Sequence, residues 1–162
     1  MFDFPSVPRS ASSQSVRLFL ALSFFAVTFY SYGTALMDYF AFYPSWEAVG
    51  ADEFPAYHVL IGQRIVFVSV LPFVLLTILN LLLFWFRPAS VPRGLVTVSF
   101  LWLLVDWASS ILIQIPMQLQ LETHKDIALL HHLMETNWIR IVAETAQALL
   151  AFRMMQRVCR PD

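Results

Sequence analysis

The segment Ile65–Phe86 reads IVFVSVLPFVLLTILNLLLFWF and contains no charged residue. An α-helix needs about 20 mostly apolar residues to cross the hydrocarbon core of a bilayer. Three other segments come close to that length and apolar character: Leu18–Met37, Leu95–Met117 and Ile139–Met155. Only helices and closed barrels satisfy their backbone hydrogen bonds in lipid, and these segments lack the alternation of barrel strands. The sequence therefore predicts an all-α polytopic membrane protein with four transmembrane helices.

The composition supports a membrane protein. Of the 162 residues, 59% are hydrophobic and 13% are charged, and the net charge is -1. A water-soluble domain of this length could not bury so much apolar surface. The near-zero net charge argues against a nucleic-acid partner. The single cysteine, Cys159, excludes an internal disulfide. The expected partner is therefore the lipid bilayer.

Charged residues outside the apolar segments predict the orientation. Arginines precede the first segment, separate the second from the third, and follow the fourth: Arg9, Arg17, Arg87, Arg93, Arg153, Arg157 and Arg160. The other two links are acidic and carry Glu47, Asp52, Glu53, Glu122, Asp126 and Glu135. By the positive-inside rule, both termini and the 87–93 link are cytoplasmic. The links over about 38–63 and 118–138 then face the exterior of a plasma (inner) membrane.

The domain organisation follows from these assignments. Residues 1–16 are rich in Ser and Pro and are expected to form a disordered cytoplasmic tail. Residues 17–158 form the transmembrane domain, with spans at about 18–37, 65–86, 95–117 and 139–155, and residues 159–162 form a second cytoplasmic tail. The short 87–93 link makes an antiparallel up-down bundle the expected topology.

Two helices are expected to extend beyond their apolar spans on the exterior side. The second begins near Pro55, and Asp126–Glu135 forms a helical lead into the fourth. The run Leu18–Tyr30 also has the length of a signal-peptide core. Because apolar residues continue beyond it without a clear cleavage pattern, a retained helix is the favoured interpretation.

Polar residues inside the spans converge at one depth. On the fourth helix, Asn137, Arg140, Glu144 and Gln147 form one stripe by helical spacing. On the third, Asp106, Ser110, Gln114 and Gln118 recur every four residues, and Asp38 and His58 lie near the exterior ends of the first two helices. Charges within a span usually face the bundle interior or a cavity. The sequence thus predicts a polar pocket in the exterior half, with Arg140 turned inward and paired with Glu144 or Asp38.

A purely structural interpretation remains open. Gln114, Gln118 and Asn137 could hold helices together by interhelical hydrogen bonds without any ligand. The amount of polarity at one depth favours a pocket.

A metal site formed by the remaining histidines together with His58 is conceivable, but a solvated loop with ordinary histidines is the favoured interpretation. His124, His131 and His132 lie in the last exterior link among acidic residues, but no HxxxH or HExxH spacing is present. Isolated glycines also exclude a glycine-rich phosphate loop. No cofactor is therefore expected.

Several short motifs resemble those of a known family. Ile115–Leu121 reads IPMQLQL and is followed by Asn137-Trp138-Ile139-Arg140, while Phe54–His58 reads FPAYH and Arg87-Pro88 closes the second helix. Together they resemble the anthrone-oxygenase-like family of small four-helix membrane proteins.

The resemblance implies a four-helix bundle and oxygenation of a phenolic polycycle without a bound cofactor. The matching positions are Gln118, Asn137 and Arg140. Two departures stand out: Trp138 occupies a position where many relatives have histidine, and Gln118 one where asparagine is frequent.

Two hypotheses about function follow. The first is an oxygenase of a lipophilic aromatic substrate. Its catalytic residues would be His58, Arg140 and Glu144, with His58 or Glu144 as the base, and Gln114, Gln118 and Asn137 would bind the substrate. The second is a non-catalytic membrane protein that binds a small lipophile or an assembly partner. The sequence leaves both hypotheses open, as well as the oligomeric state.

Overall fold

The computed structural model describes residues 11–160, which form four long helices joined by short connections. Helix α1 comprises Ala11–Met37, Asp38–Phe42 and Tyr43–Trp46, and α2 comprises Phe54–Ile65, Val66–Val70 and Leu71–Phe86. Helix α3 comprises Arg93–Ser109, Ser110–Gln114 and Ile115–Leu121, and α4 is Ile127–Cys159. The all-α class is confirmed.

Three of the helices are long and apolar enough to cross a membrane: Ser13–Trp46, Phe54–Phe86 and Arg93–Leu121. Helix α4 has 33 residues and is long enough, but it is not among these candidates, because its span carries the stripe of charged and amide side chains. The structure therefore confirms three candidate transmembrane spans within residues 11–160.

The helices extend further than the apolar segments predicted. Helix α1 already includes residues 11–16, which were assigned to the tail, and residues 1–10 and 161–162 lie outside the described part. At the other end of the bundle, the connections are only residues 47–53 and 122–126 instead of about 38–63 and 118–138. The predicted helix starts are confirmed, since α2 begins at Phe54 and the Asp126 carboxylate caps α4 by accepting a hydrogen bond from the Leu129 amide at 3.0 Å.

Each of α1, α2 and α3 contains one π-helical turn shortly before a proline. The turns are Asp38–Phe42, Val66–Val70 and Ser110–Gln114, and the prolines are Pro44, Pro72 and Pro116. Proline has no amide hydrogen, and its ring crowds the carbonyl four residues earlier. A π turn inserts one extra residue and lets the helix continue past that point. The helices therefore continue past these prolines, although α1 ends two residues after Pro44, at Trp46.

The helices form a ring in which α1 packs against α2 and α4, and α3 packs against α2 and α4. We call the end with residues 47–53 and 122–126 the acidic end and the end with residues 87–93 the arginine end. An apolar core that includes Phe24, Leu79, Leu103 and Met154 fills the half near the arginine end. A second apolar cluster closes the acidic end and includes Trp46, Phe54, Leu121, Leu130 and Leu133. Between the two clusters lies a cavity.

Candidate functional site

The cavity has a volume of about 670 Å³ and is lined by residues from all four helices. That volume lies within the range of pockets that bind drug-sized molecules. All three π-helical turns contribute to its wall, through Asp38 on α1, Ser69 on α2 and Gln114 on α3, among others. The π turns thus have two structural roles. They let the helices continue past proline, and they form part of the cavity wall.

Arg140 is the centre of a buried ion cluster beside the cavity. Its Nε donates to Asp106 Oδ1 at 3.0 Å, and its Nη2 lies 3.5 Å from Glu144 Oε1. Its Nη1 donates to Asn137 Oδ1 at 3.5 Å. The Arg140 side chain is 20% exposed, against 1% for Asp106 and 6% for Glu144. All three guanidinium nitrogens therefore have protein partners.

The predicted inward pairing of Arg140 with Glu144 is confirmed, but the shorter contact is to Asp106. In the sequence, Asp106 belongs to the polar stripe of α3, and the residue spacing does not predict its partner. Asp106 also accepts a hydrogen bond from Ser110 Oγ at 3.4 Å. A four-residue stripe shows which residues share a face of α3. It does not show which of them meets Arg140, because that depends on how far α3 and α4 are shifted along each other.

His58 belongs to a second polar chain that crosses three helices. Its Nε2 lies 2.7 Å from Gln118 Oε1, and Gln118 Nε2 donates to the Tyr43 hydroxyl at 3.5 Å. The imidazole is packed against two aromatic rings, with centroid distances of 4.9 Å to Trp46 and 5.4 Å to Phe54. Its Nδ1 is buried without a hydrogen-bond partner. Although His58 lines the cavity, one ring nitrogen is occupied by Gln118 and the other is inaccessible.

The structure places the other predicted residues around the same space. Gln114 lines the cavity and donates through Nε2 to Thr136 Oγ1 at 3.1 Å. Asn137 does not line it, but lies one layer behind through its contact with Arg140. The predicted site residues that line the cavity are His58, Gln114, Gln118, Arg140 and Glu144.

Asp38 is also a cavity residue, and it is one of the polar residues predicted to converge near the exterior ends of the helices. Its side chain lines the cavity and is 6% exposed. It is close enough to Arg140 to interact electrostatically, yet it forms no ion pair or hydrogen bond within the described chain. Asp38 lies seven residues after Ser31 and four after Thr34, and all three side chains line the cavity, so helical spacing along α1 is the signal that could have assigned it to the site.

We infer that the cavity opens sideways between α2 and α3, because these two helices are not closely packed at its level. Four apolar residues that line the cavity on these two helices are also solvent-exposed: Val59, Val66 and Val70 of α2 and Ile115 of α3. Near the arginine end, by contrast, α2 and α3 are packed against each other through Leu71–Phe86 and Arg93–Ser109. The opening is therefore apolar at its rim and polar inside.

The connections at the acidic end are held together by polar contacts. Lys125 Nζ donates to the carbonyls of Glu47 at 2.7 Å and Val49 at 2.6 Å. His131 Nε2 lies 2.9 Å from Glu47 Oε1, and both side chains are about half exposed. Within residues 11–160, no group of three His, Cys, Asp or Glu side chains is placed to hold a metal ion.

A separate polar network lies nearer the arginine end. Asn80 Nδ2 donates to Ser99 Oγ at 2.6 Å, and Ser99 Oγ donates to Gln147 Oε1 at 2.6 Å. Gln147 Nε2 returns a hydrogen bond to the Ser99 carbonyl at 2.7 Å. None of the three residues lines the cavity. This network corresponds to the structural interpretation in which amides join helices.

Comparison of the chain with protein-family models, curated proteins and solved structures found no match. The resemblance to the anthrone-oxygenase-like family therefore stays a prediction.

Proposed function

We propose that the protein is a plasma-membrane protein with four transmembrane helices that binds a small lipophilic molecule in its cavity. Support for a fourth span comes from the inverted polarity of α4. This helix buries Asn137, Glu144 and Gln147 and exposes Val142 and Leu149. A helix with its polar face inward and an apolar face outward suits a lipid surface, even where its mean hydropathy is low.

The proposed orientation, with both termini cytoplasmic, rests on the arginines and is supported by where they meet. Arg17 Nη1 donates to the Arg87 carbonyl at 3.5 Å, and Arg87 Nε donates to the Val91 carbonyl at 2.9 Å. Arg17, Arg157 and Arg160 line a single depression beside the 87–93 connection. Cationic side chains from three separate segments thus share one end of the bundle, as the positive-inside rule requires of cytoplasmic segments.

The observation that carries the binding proposal is the combination of a polar interior with an apolar lateral opening. A molecule dissolved in the bilayer could pass Val66 and Ile115 without crossing water and then meet polar groups inside. Within residues 11–160, buried polar atoms without partners occur on side chains that line this cavity, including Ser31 Oγ, Gln114 Oε1 and Glu144 Oε2. Unpartnered buried polar atoms are uncommon in folded proteins and often indicate a functional site.

Oxygenation of a lipophilic aromatic substrate is the second candidate. It is favoured by the aromatic wall of the cavity, to which Tyr43, Trp46, Phe73 and Trp107 contribute. Such a reaction needs a base and a group that stabilises the enolate. Neither ring nitrogen of His58 is free to face a substrate, so Glu144 is the better placed of the two predicted bases. Arg140 would have to exchange one of its partners to bind an oxyanion.

The binding proposal can be tested with anthracenylmethanol, a neutral and fluorescent aromatic lipophile, and the full chain in nanodiscs. Energy transfer from tryptophan to anthracene reports binding, since Trp46 and Trp107 line the cavity. The blocking variant is Gly62→Leu, because Gly62 lines the cavity and an added Cβ there meets nothing within 4 Å. We expect this variant to fold and to bind anthracenylmethanol at least about tenfold more weakly, which corresponds to about 1.4 kcal/mol.

The matched control is Gly33→Leu. An added Cβ at Gly33 also meets nothing within 4 Å, but Gly33 does not line the cavity. This variant should bind like the unmodified protein. Equal binding by Gly62→Leu and Gly33→Leu, or no saturable binding by the unmodified chain, would contradict the proposal. Incubation with anthrone in air, followed by mass spectrometry of the products, tests the oxygenase candidate separately.

A further inference from the structure

The charges around the cavity are unbalanced. Asp38, Glu122, Glu144 and Arg140 line it, and Asp106 lies directly behind Arg140. Acidic groups thus outnumber the guanidinium at this level of the bundle, and His58, the other titratable base here, is held by Gln118. Burying a charge away from water is costly unless an opposite charge or a set of hydrogen bonds compensates it.

Arg140 is poorly placed to bind an anionic ligand. Asp106, Glu144 and Asn137 already occupy its three nitrogens. A ligand carboxylate or phenolate would have to displace one of these partners and would add a further negative charge beside Asp38. Like charges placed close together in a desolvated site repel strongly. The site therefore disfavours anions.

Asp38 is the group that remains available. Its carboxyl lies on the cavity wall, is more than nine-tenths buried, and forms no hydrogen bond or ion pair with the described residues. A buried carboxyl in this position either takes up a proton or pairs with a cation that enters the cavity. An ammonium group could donate charge-assisted hydrogen bonds to it.

The rest of the cavity suits the apolar part of such a cation. Trp46, Phe73 and Trp107 contribute aromatic surface to the wall. The faces of aromatic rings attract cations, most strongly where water is excluded. The lateral opening between α2 and α3 gives an amphiphile access from the bilayer, with its apolar part still in contact with lipid.

We propose that the ligand of this cavity is a lipophilic ammonium compound whose charge pairs with Asp38. This inference rests on the proposed binding function and specifies the chemical class of ligand. It predicts discrimination by charge among molecules of nearly equal size and shape.

The experiment compares three anthracene derivatives that differ in one substituent: anthracenylmethylammonium, anthracenylmethanol and anthracenecarboxylate. Each is titrated against the full chain in nanodiscs, and the signal of the Gly62→Leu variant is subtracted to remove partitioning into lipid. We expect the ammonium compound to bind at least about tenfold more tightly than the alcohol, which corresponds to about 1.4 kcal/mol. The carboxylate should bind most weakly.

The variant that tests the pairing is Asp38→Asn, which keeps the shape of the side chain and removes its charge. Its affinity for the ammonium compound should fall at least about tenfold, whereas its affinity for the alcohol should not change. Glu135→Gln is the control, because it removes an acidic side chain that is 79% exposed and does not line the cavity. This control should bind all three compounds like the unmodified protein.

The possible outcomes separate the two proposals. If the alcohol or the carboxylate binds the unmodified chain as tightly as the ammonium compound, the proposed charge preference is wrong, but the cavity still binds a lipophile. If Asp38→Asn keeps the preference, the assignment to Asp38 is wrong. If none of the three compounds binds above the Gly62→Leu background, the proposed binding function itself fails. Should Asp38→Asn not fold, the charge series on the unmodified protein decides the preference alone.

Discussion

The bundle buries polar side chains at two levels, and the two levels differ in how completely they are hydrogen-bonded. Near the arginine end, Asn80, Ser99 and Gln147 bond to one another over 2.6–2.7 Å and leave a single unpartnered atom, Asn80 Oδ1, among them. Around the cavity, unpartnered buried atoms occur on Ser31, His58, Gln114 and Glu144, and an ion cluster adjoins them.

The difference has a geometric origin. The half near the arginine end is a regular bundle filled by an apolar core. In the other half, each of α1, α2 and α3 contains a π-helical turn, and α2 and α3 no longer pack closely. Similar amides and hydroxyls therefore act as interhelical contacts at one level and as cavity lining at the other. Polar residues in a span indicate a binding site only where the surrounding backbone leaves space for a ligand.

The largest effect on stability is expected from Arg140→Leu, which would remove the cation of the buried ion cluster beside the cavity. It leaves Asp106 and Glu144 buried without their cation, and removing one member of a buried ion pair typically costs about 3–5 kcal/mol. Thermal unfolding of the purified protein in detergent, followed by circular dichroism, measures the loss. The double variant Arg140→Leu/Asp106→Leu should recover part of it. A change below about 1 kcal/mol for the single variant would mean that the cluster resembles an exposed ion pair.

A smaller effect is expected from Gln147→Leu in the network near the arginine end. The variant removes the two hydrogen bonds that Gln147 makes with Ser99, for which we expect a loss of about 1–2 kcal/mol. Binding of anthracenylmethanol should not change, because Gln147 does not line the cavity. The same unfolding and energy-transfer measurements check both statements. A loss of binding without a loss of stability would show that the two levels are coupled and would weaken the comparison.

Several features of the fold and of the candidate site could be predicted from residue spacing. The stripe of α4 correctly placed Arg140 and Glu144 on the inward face, and proline, acidic residues and periodicity located the starts of α2 and α4. Helical spacing works here because it depends only on the geometry of one helix.

Other features of the site depend on how neighbouring helices pack against each other, which spacing within one helix does not show. The contact between Asp106 and Arg140 depends on how far α3 is shifted along α4. Asn137 and Gln147 share one stripe, yet neither reaches the cavity. The π turns before Pro44 and Pro116 also have no signal in the residue spacing, although they let the helices continue past these prolines.

The central claim is that the level of Arg140 encloses a ligand-accessible cavity and the level of Ser99 does not. The most direct test replaces one serine of α3 at each level by cysteine, Ser110→Cys and Ser99→Cys, in a Cys159→Ala background. Ser110 lines the cavity, whereas Ser99 is fully buried in the hydrogen-bonded network. We predict that a small methanethiosulfonate reagent labels Ser110→Cys, that anthracenylmethanol slows this labelling, and that Ser99→Cys stays unlabelled. Equal labelling of both positions, or labelling of Ser110→Cys that the ligand does not slow, would contradict the account.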